Sequence, residues 1–166
     1  TSGDDDVIMV SRFGQAIRFH ERDVRAMGRD ASGVLGMRLR PADEVISVDI
    51  ARDDSDLFVL TENGFGKRTP LSEYRITGRG GIGVRTIALT DRKGYLAGVR
   101  VVRDNHEIMI QSRDGVVIRV RADGISRHGR ATQGVRVMNM REGDVVVAVA
   151  RMVVSESGAT AEEIDA

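Results

Sequence analysis

The chain has no cysteine and no tryptophan, only 2 prolines, and an aromatic content of 4%. Without cysteine there is neither a disulfide nor a thiolate metal site, which fits a reducing compartment, with the cytoplasm as the default. No apolar run approaches the roughly 18 residues a membrane span needs. The acidic start, Asp4-Asp5-Asp6, lacks the basic flank and apolar stretch of a signal peptide, so neither a membrane nor export is expected. His20, His106 and His128 lack metal-ligand spacing, and no metal is expected. A net charge is also absent, with 25 Lys+Arg against 25 Asp+Glu. Seven of those acids lie in residues 1–6 and 156–166, which hold no Lys or Arg; the body between carries 25 basic and 18 acidic side chains, an excess that suits a polyanionic partner and equally a solubilising surface.

What is present is glycine, 19 in all, and a pattern that repeats. Gly28-Arg29-Asp30-Ala31-Ser32-Gly33-Val34, Gly78-Arg79-Gly80-Gly81-Ile82-Gly83-Val84 and Gly129-Arg130-Ala131-Thr132-Gln133-Gly134-Val135 share G-R-x-x-x-G-V, at offsets of 50 and 51 residues. The same offsets relate Gly14, Gly64 and Gly115, and then Arg18, Arg68 and Arg119. Each unit opens with two short apolar runs around a turn: 7–10 and 16–19, 57–60 and 65–69, 108–111 and 116–120. Asn63-Gly64 and Asp114-Gly115 are hairpin-turn pairs, with Gly14 in the matching place. A β-branched run follows each glycine segment, at 45–50, 95–102 and 145–149. The chain is therefore expected to be all-β and propeller-like, a partial disc of about three four-stranded blades of roughly 50 residues each. Residues 1–5 read as a linker, 6–53, 54–104 and 105–154 as blade repeats, and 155–166 as an acidic disordered tail. Helix is scarce, with single turns expected at 41–44 and 70–74.

The hairpin pattern, the spacing and the phrases T-G-R-G-G-I-G-V, G-R-A-T-Q-G-V-R-V-M-N and E-G-D-V-V-V-A-V-A-R resemble the β-pinwheel blades of the C-terminal domain of DNA gyrase A and, more weakly, of its topoisomerase IV counterpart. The resemblance runs from about residue 6 to residue 154. It implies a disc whose basic rim bends DNA and whose neighbouring blades exchange strands. One motif departs: the family's box Q-R-R-G-G-K-G has its nearest match in Thr77-Gly78-Arg79-Gly80-Gly81-Ile82-Gly83, where Gly78 and Ile82 replace an arginine and the lysine. Such degenerate boxes are similar to those of the later blades.

DNA binding without sequence readout needs cations spaced along a surface, since phosphate neutralisation supplies the affinity. Three arginine series offer it: Arg18, Arg68 and Arg119, joined by Lys67 and Arg121; Arg29, Arg79 and Arg130; and Arg85 and Arg136. Gly28, Gly33, Gly78, Gly83, Gly129 and Gly134 are expected to permit a tight loop, where backbone N–H groups can also face a phosphate. The G-x-G-x-x-G formed by Gly78, Gly80 and Gly83 is followed by a strand-like run rather than a helix, so nucleotide binding is not expected. Neither Tyr74 nor Tyr95 lies in a strand-cleaving context, and no catalytic residue is assigned. The resemblance implies an ATP-dependent parent topoisomerase whose ATP and Mg²⁺ sites lie elsewhere, with partners in double-stranded DNA, the rest of gyrase A, and gyrase B in a heterotetramer. The alternatives are the topoisomerase IV counterpart and a propeller-like protein-interaction module whose arginines serve solubility.

Overall fold

Strands form where apolar and β-branched residues alternate around a glycine turn. The computed structural model describes residues 4–22, 37–77, 80–154 and 160–162. The first repeat forms β1 (Asp6–Ser11), β2 (Gln15–His20) and β3 (Val45–Ala51). The second forms β4 (Asp56–Thr61), β5 (Phe65–Pro70), the two-residue β6 (Val84–Arg85) and β7 (Leu96–Val102). The third forms β8 (His106–Ser112), β9 (Val117–Arg121), β10 (Val135–Arg136) and β11 (Val146–Val154), followed by β12 (Thr160–Glu162). Single 3-10 turns, Leu71–Glu73 and Ala122–Gly124, follow β5 and β9. The hairpin glycines Gly14, Gly64 and Gly115 have φ of 87°, 87° and 89°, left-handed values that a Cβ would oppose.

Three antiparallel sheets result, in the orders β3-β1-β2-β6, β10-β5-β4-β7 and β12-β11-β8-β9. A sheet is therefore not a repeat. β6 leaves the second repeat to pair with β2, with Gln15 opposite Arg85, and β10 leaves the third to pair with β5, with Phe65 opposite Arg136. The exchange needs close backbone approach: a Cβ on Gly83 would stand 2.3 Å from the Ala16 carbonyl oxygen. The tail expectation is corrected at Thr160–Glu162, which pair with Met152 to Val154 along the edge of the nine-residue β11. Residues 155–159 and 163–166 lie outside the described set.

The central sheet is buried on both faces, and the alternation along β4 divides its side chains. Leu57 and Val59 join Ile8, Val10 and Ala16 of the first blade, while Phe58 and Leu60 join Ile108 and Ile110 of the third. Each such side chain contributes about 1.5–3 kcal/mol on full burial. Between the inner strands β3, β7 and β11, Asp49 Oδ2 accepts the Val101 N–H at 3.2 Å and stands 3.6 Å from the Arg151 guanidinium, which also donates to the Val101 carbonyl. One buried charge group thus ties three blades together.

Candidate nucleic-acid interface

Two of the repeat-related arginines expected on a DNA path lie inside the protein. Arg18 is 5% exposed; it donates to Asp6 Oδ2 at 2.7 Å, to Asp53 Oδ1 at 2.9 Å and to the Leu71 carbonyl at 2.9 Å. Arg68 is 8% exposed and donates to Asp56 Oδ2 at 3.0 Å, to Asp104 Oδ1 at 2.5 Å and to the Ile125 carbonyl at 2.7 Å. The geometry repeats: a carboxylate at the start of the preceding strand, a second carboxylate from the next loop, and a carbonyl in or just after the following blade's 3-10 turn. Strand alternation aims both forks at the next blade, so they join blades and have no face left for phosphate. Arg127 adds a fork of its own to Asp56, at 2.8 and 3.1 Å.

Lys67 needs the same correction. Its side chain is fully buried, and Nζ donates to the carbonyls of Gly129 (2.5 Å), Arg130 (2.8 Å) and Thr132 (3.0 Å) and to Thr132 Oγ1 (3.0 Å). Burial lowers its pKa to about 8, with Glu73 pulling it upward and Arg130 further down. The ammonium therefore fastens the 129–132 stretch of the third repeat's glycine loop onto β5. In the first blade the matching position is Ile17, whose Cδ1 lies 3.4 Å from the place of a Cβ on Gly81.

The remaining candidates reach solvent. Arg85 and Arg136 are exposed on the exchanged strands β6 and β10, at the same place in consecutive blades. Arg130 is partly exposed and donates to the Arg85 carbonyl at 3.3 Å, which brings two of the predicted series together. Arg119 and Arg121 lie apart from these, on the outer face of β9. The Arg119 side chain is 48% exposed beside Glu107 at 3.3 Å, and that of Arg121 is 68% exposed with its fork on Asp123. That hydrogen bond holds the Asp123 carboxyl below its ordinary range. Gly83 and Gly134 have φ of 84° and 76°, as the expected tight loop requires, whereas a Cβ on Gly129 would make only an ordinary 3.6 Å contact. Arg29, Arg79, Gly28, Gly33 and Gly78 lie outside the described residues.

Where β10 meets β5, two cations outside the arginine register, Arg92 and Lys93, join Arg136. The Arg92, Lys93 and Arg136 cations stand 5.6, 5.2 and 4.8 Å from the centroid of the Phe65 ring. The group's sequence signal is compositional: Lys67 and Lys93 are the chain's only lysines, and both reach the third repeat's glycine loop, Lys93 through Gln133.

The family model described as "DNA gyrase C-terminal domain, beta-propeller" matches residues 5–52, 55–103 and 106–151. The chain is 41% identical to the DNA gyrase A protein of Staphylococcus epidermidis over 154 residues, 92% of this chain and 17% of that protein. It is 40% identical to the Streptomyces coelicolor protein of the same name over 166 residues, 99% of this chain and 19% of that protein. The chain thus spans less than a fifth of the length of these relatives. Among solved structures, a DNA gyrase A C-terminal domain superposes with a TM-score of 0.81 at 30% identity, covering 89% of this chain and 50% of that one. A topoisomerase IV C-terminal domain gives 0.84 at 26%, covering 92% and 48%.

Proposed function

Since the chain belongs to the DNA gyrase C-terminal β-propeller family, we propose that it binds duplex DNA without reading sequence and contributes to bending and wrapping it within a type II topoisomerase. The observation that carries this reading is the recurrence of exposed Arg85 and Arg136 on the exchanged strands of consecutive blades, with Arg130 beside them. Cations repeated from blade to blade neutralise successive phosphates of a curved duplex, and distributed contacts of this kind offset a bending cost of several kcal/mol. Arg119 and Arg121, apart from these on the outer face of β9, add a second group of cations on the third blade. In the parent protein such wrapping would present a nearby DNA segment for strand passage, and gyrase B would supply ATP-driven supercoiling. That assignment places the chain in the bacterial cytoplasm, with no catalytic residue or cofactor of its own. Topoisomerase IV remains the second reading, because its C-terminal domain superposes as well as that of gyrase A.

The test is fluorescence anisotropy of the chain with a random-sequence duplex across a salt series, beside the triple variant Arg85→Gln, Arg130→Gln, Arg136→Gln. Wild-type affinity should fall steeply with salt, and the variant's log–log slope should be flatter by about 2–3. A folded wild-type chain that stays unbound at low salt refutes the proposal and favours the protein-interaction module.

A further inference from the structure

The three repeats differ in chemistry at one corner, where each hairpin turn meets the loop entering the inner strand. In the first blade Asp43 Oδ1 accepts the Phe13 N–H at 3.0 Å, and in the third Asp144 Oδ1 accepts the Asp114 N–H at 3.0 Å. The second blade places Lys93 there. Its equivalence follows from the turn bonds, Asp43 N–H to the Arg40 carbonyl, Lys93 N–H to Thr90 and Asp144 N–H to Arg141. The second loop has one further residue, Gly94, at φ 77°, before rejoining the register. With that residue in place, the Lys93 carbonyl accepts the Asn63 N–H at 3.2 Å, so the aspartate's capping task passes to the backbone. The side chain is released for another use, and it is a cation.

Two further departures meet it. Phe65 stands where the other blades have Gln15 and Val116, and Arg92 where they have Ala42 and Gly143. Arg136 arrives on β10 opposite Phe65. Three cations thereby share one aromatic ring, within 5.6 Å of its centroid. Arg92 and Arg136 are exposed, and among the described residues neither has a carboxylate at ion-pair distance. Lys93 Nζ donates to the Gln133 carbonyl and to Gln133 Oε1, both at 3.0 Å, which engages two of its three hydrogens. Desolvation and then the Arg92 charge lower its pKa. Gathering like charges is unfavourable unless an anion sits among them.

We propose that this corner is a phosphate-binding site, formed by Arg92, Lys93 and Arg136 around Phe65, which takes a backbone phosphodiester of DNA crossing the seam between the second and third repeats. The assignment rests on the DNA-binding reading for its ligand, but the anion site itself is independent of it. An acidic corner in the first and third blades becomes a cationic one in the middle blade, so the middle blade grips the duplex harder than its neighbours.

Lys93→Asp installs the residue that the other two blades carry at this position, and Phe65→Val the third blade's residue. In anisotropy titrations of the whole chain with a random duplex from about 20 to about 200 mM salt, Lys93→Asp should weaken low-salt binding about tenfold and flatten the salt slope by about 1. Phe65→Val, which keeps the charges, should cost about threefold. Separately, pyrophosphate should shift the Arg92 and Arg136 side-chain NMR signals in the wild type and not in Lys93→Asp. Should Lys93→Asp lower the melting temperature appreciably, Arg92→Gln and Arg136→Gln carry the same test on exposed side chains. Unchanged DNA affinity in folded variants of a chain that does bind DNA overturns the site and leaves the DNA reading standing. Pyrophosphate shifts in a chain that fails to bind DNA sustain the site and overturn that reading.

Discussion

Replacing Arg68 by Met while making the same change at Arg119 separates an internal joint from a surface charge at equivalent repeat positions. Arg68→Met removes donors from Asp56, Asp104 and the Ile125 carbonyl. Breaking a buried ion pair by deleting one partner costs about 3–5 kcal/mol. The lower end applies, because Asp56 keeps its fork from Arg127 and the Asp104 side chain is 68% exposed, where water screens it. A loss of about 3 kcal/mol in a chain of 166 residues lowers the melting temperature by about 9 °C. Arg119→Met removes a guanidinium already 48% exposed, beside Glu107, so the loss should stay under about 1 kcal/mol. Circular dichroism melts at matched concentration compare the two directly. DNA affinity should respond in the opposite order, unchanged for folded Arg68→Met and weakened for Arg119→Met. An Arg68→Met chain that melts with the wild type but loses DNA affinity would refute the assignment of Arg68 to the blade joint.

Gly83→Ala should unseat β6 from the first blade, at a cost of roughly 1–3 kcal/mol, because the residue has φ 84° and its Cβ would meet the Ala16 carbonyl. Hydrogen exchange should then show loss of protection at Thr86, whose N–H donates to the Gly14 carbonyl, with β8 and β11 unchanged; retained protection at Thr86 would show that the close approach does not matter. Stability should also depend on pH in two opposed stages. Lys67, lowered by burial from 10.5 to about 8, is deprotonated in the fold at lower pH than in the unfolded chain, so its contribution is complete above pH 10.5 and is lost as pH falls through 8. Lys93 acts in the same direction. Tyr74, raised by burial from 10.0 to about 12, contributes stability below pH 10 that is lost as pH rises through 12. Urea midpoints should therefore rise from pH 8 towards 10 and fall beyond it, with a smaller rise in Lys67→Met; a midpoint that declines from pH 8 to 10 in the wild type contradicts the Lys67 assignment.

The hairpins were legible because each leaves a local mark, a turn glycine between two apolar runs, and the offsets of 50 and 51 residues repeat that mark in register. The closing strand was less so: β6 and β10 are two residues long, and nothing within Val84-Arg85 names the sheet it joins. Arg18 and Arg68 were misplaced for a related reason. A charged residue on an alternating strand points to solvent when its sheet face is open, but here the face that carries Arg18 or Arg68 is covered by the next blade. The missed clue was the acid twelve positions upstream in every repeat, Asp6 before Arg18, Asp56 before Arg68 and Glu107 before Arg119. For the Phe65 corner, comparing the repeats for differences rather than likenesses would have found Lys93 opposite Asp43 and Asp144.

Strand exchange also decides how the array can come apart. Peeling β6 away strips an edge from the first sheet and loosens the covalent path into β7 of the second, so neither blade can open alone. Unfolding begun in the third repeat withdraws β10 from the second sheet, and loss of the second repeat then withdraws β6 from the first. Damage therefore travels toward the N-terminus more readily than the reverse. A cut placed between repeats leaves the upstream sheet one strand short, so a truncation that preserves blades must keep the next repeat through its glycine-valine segment.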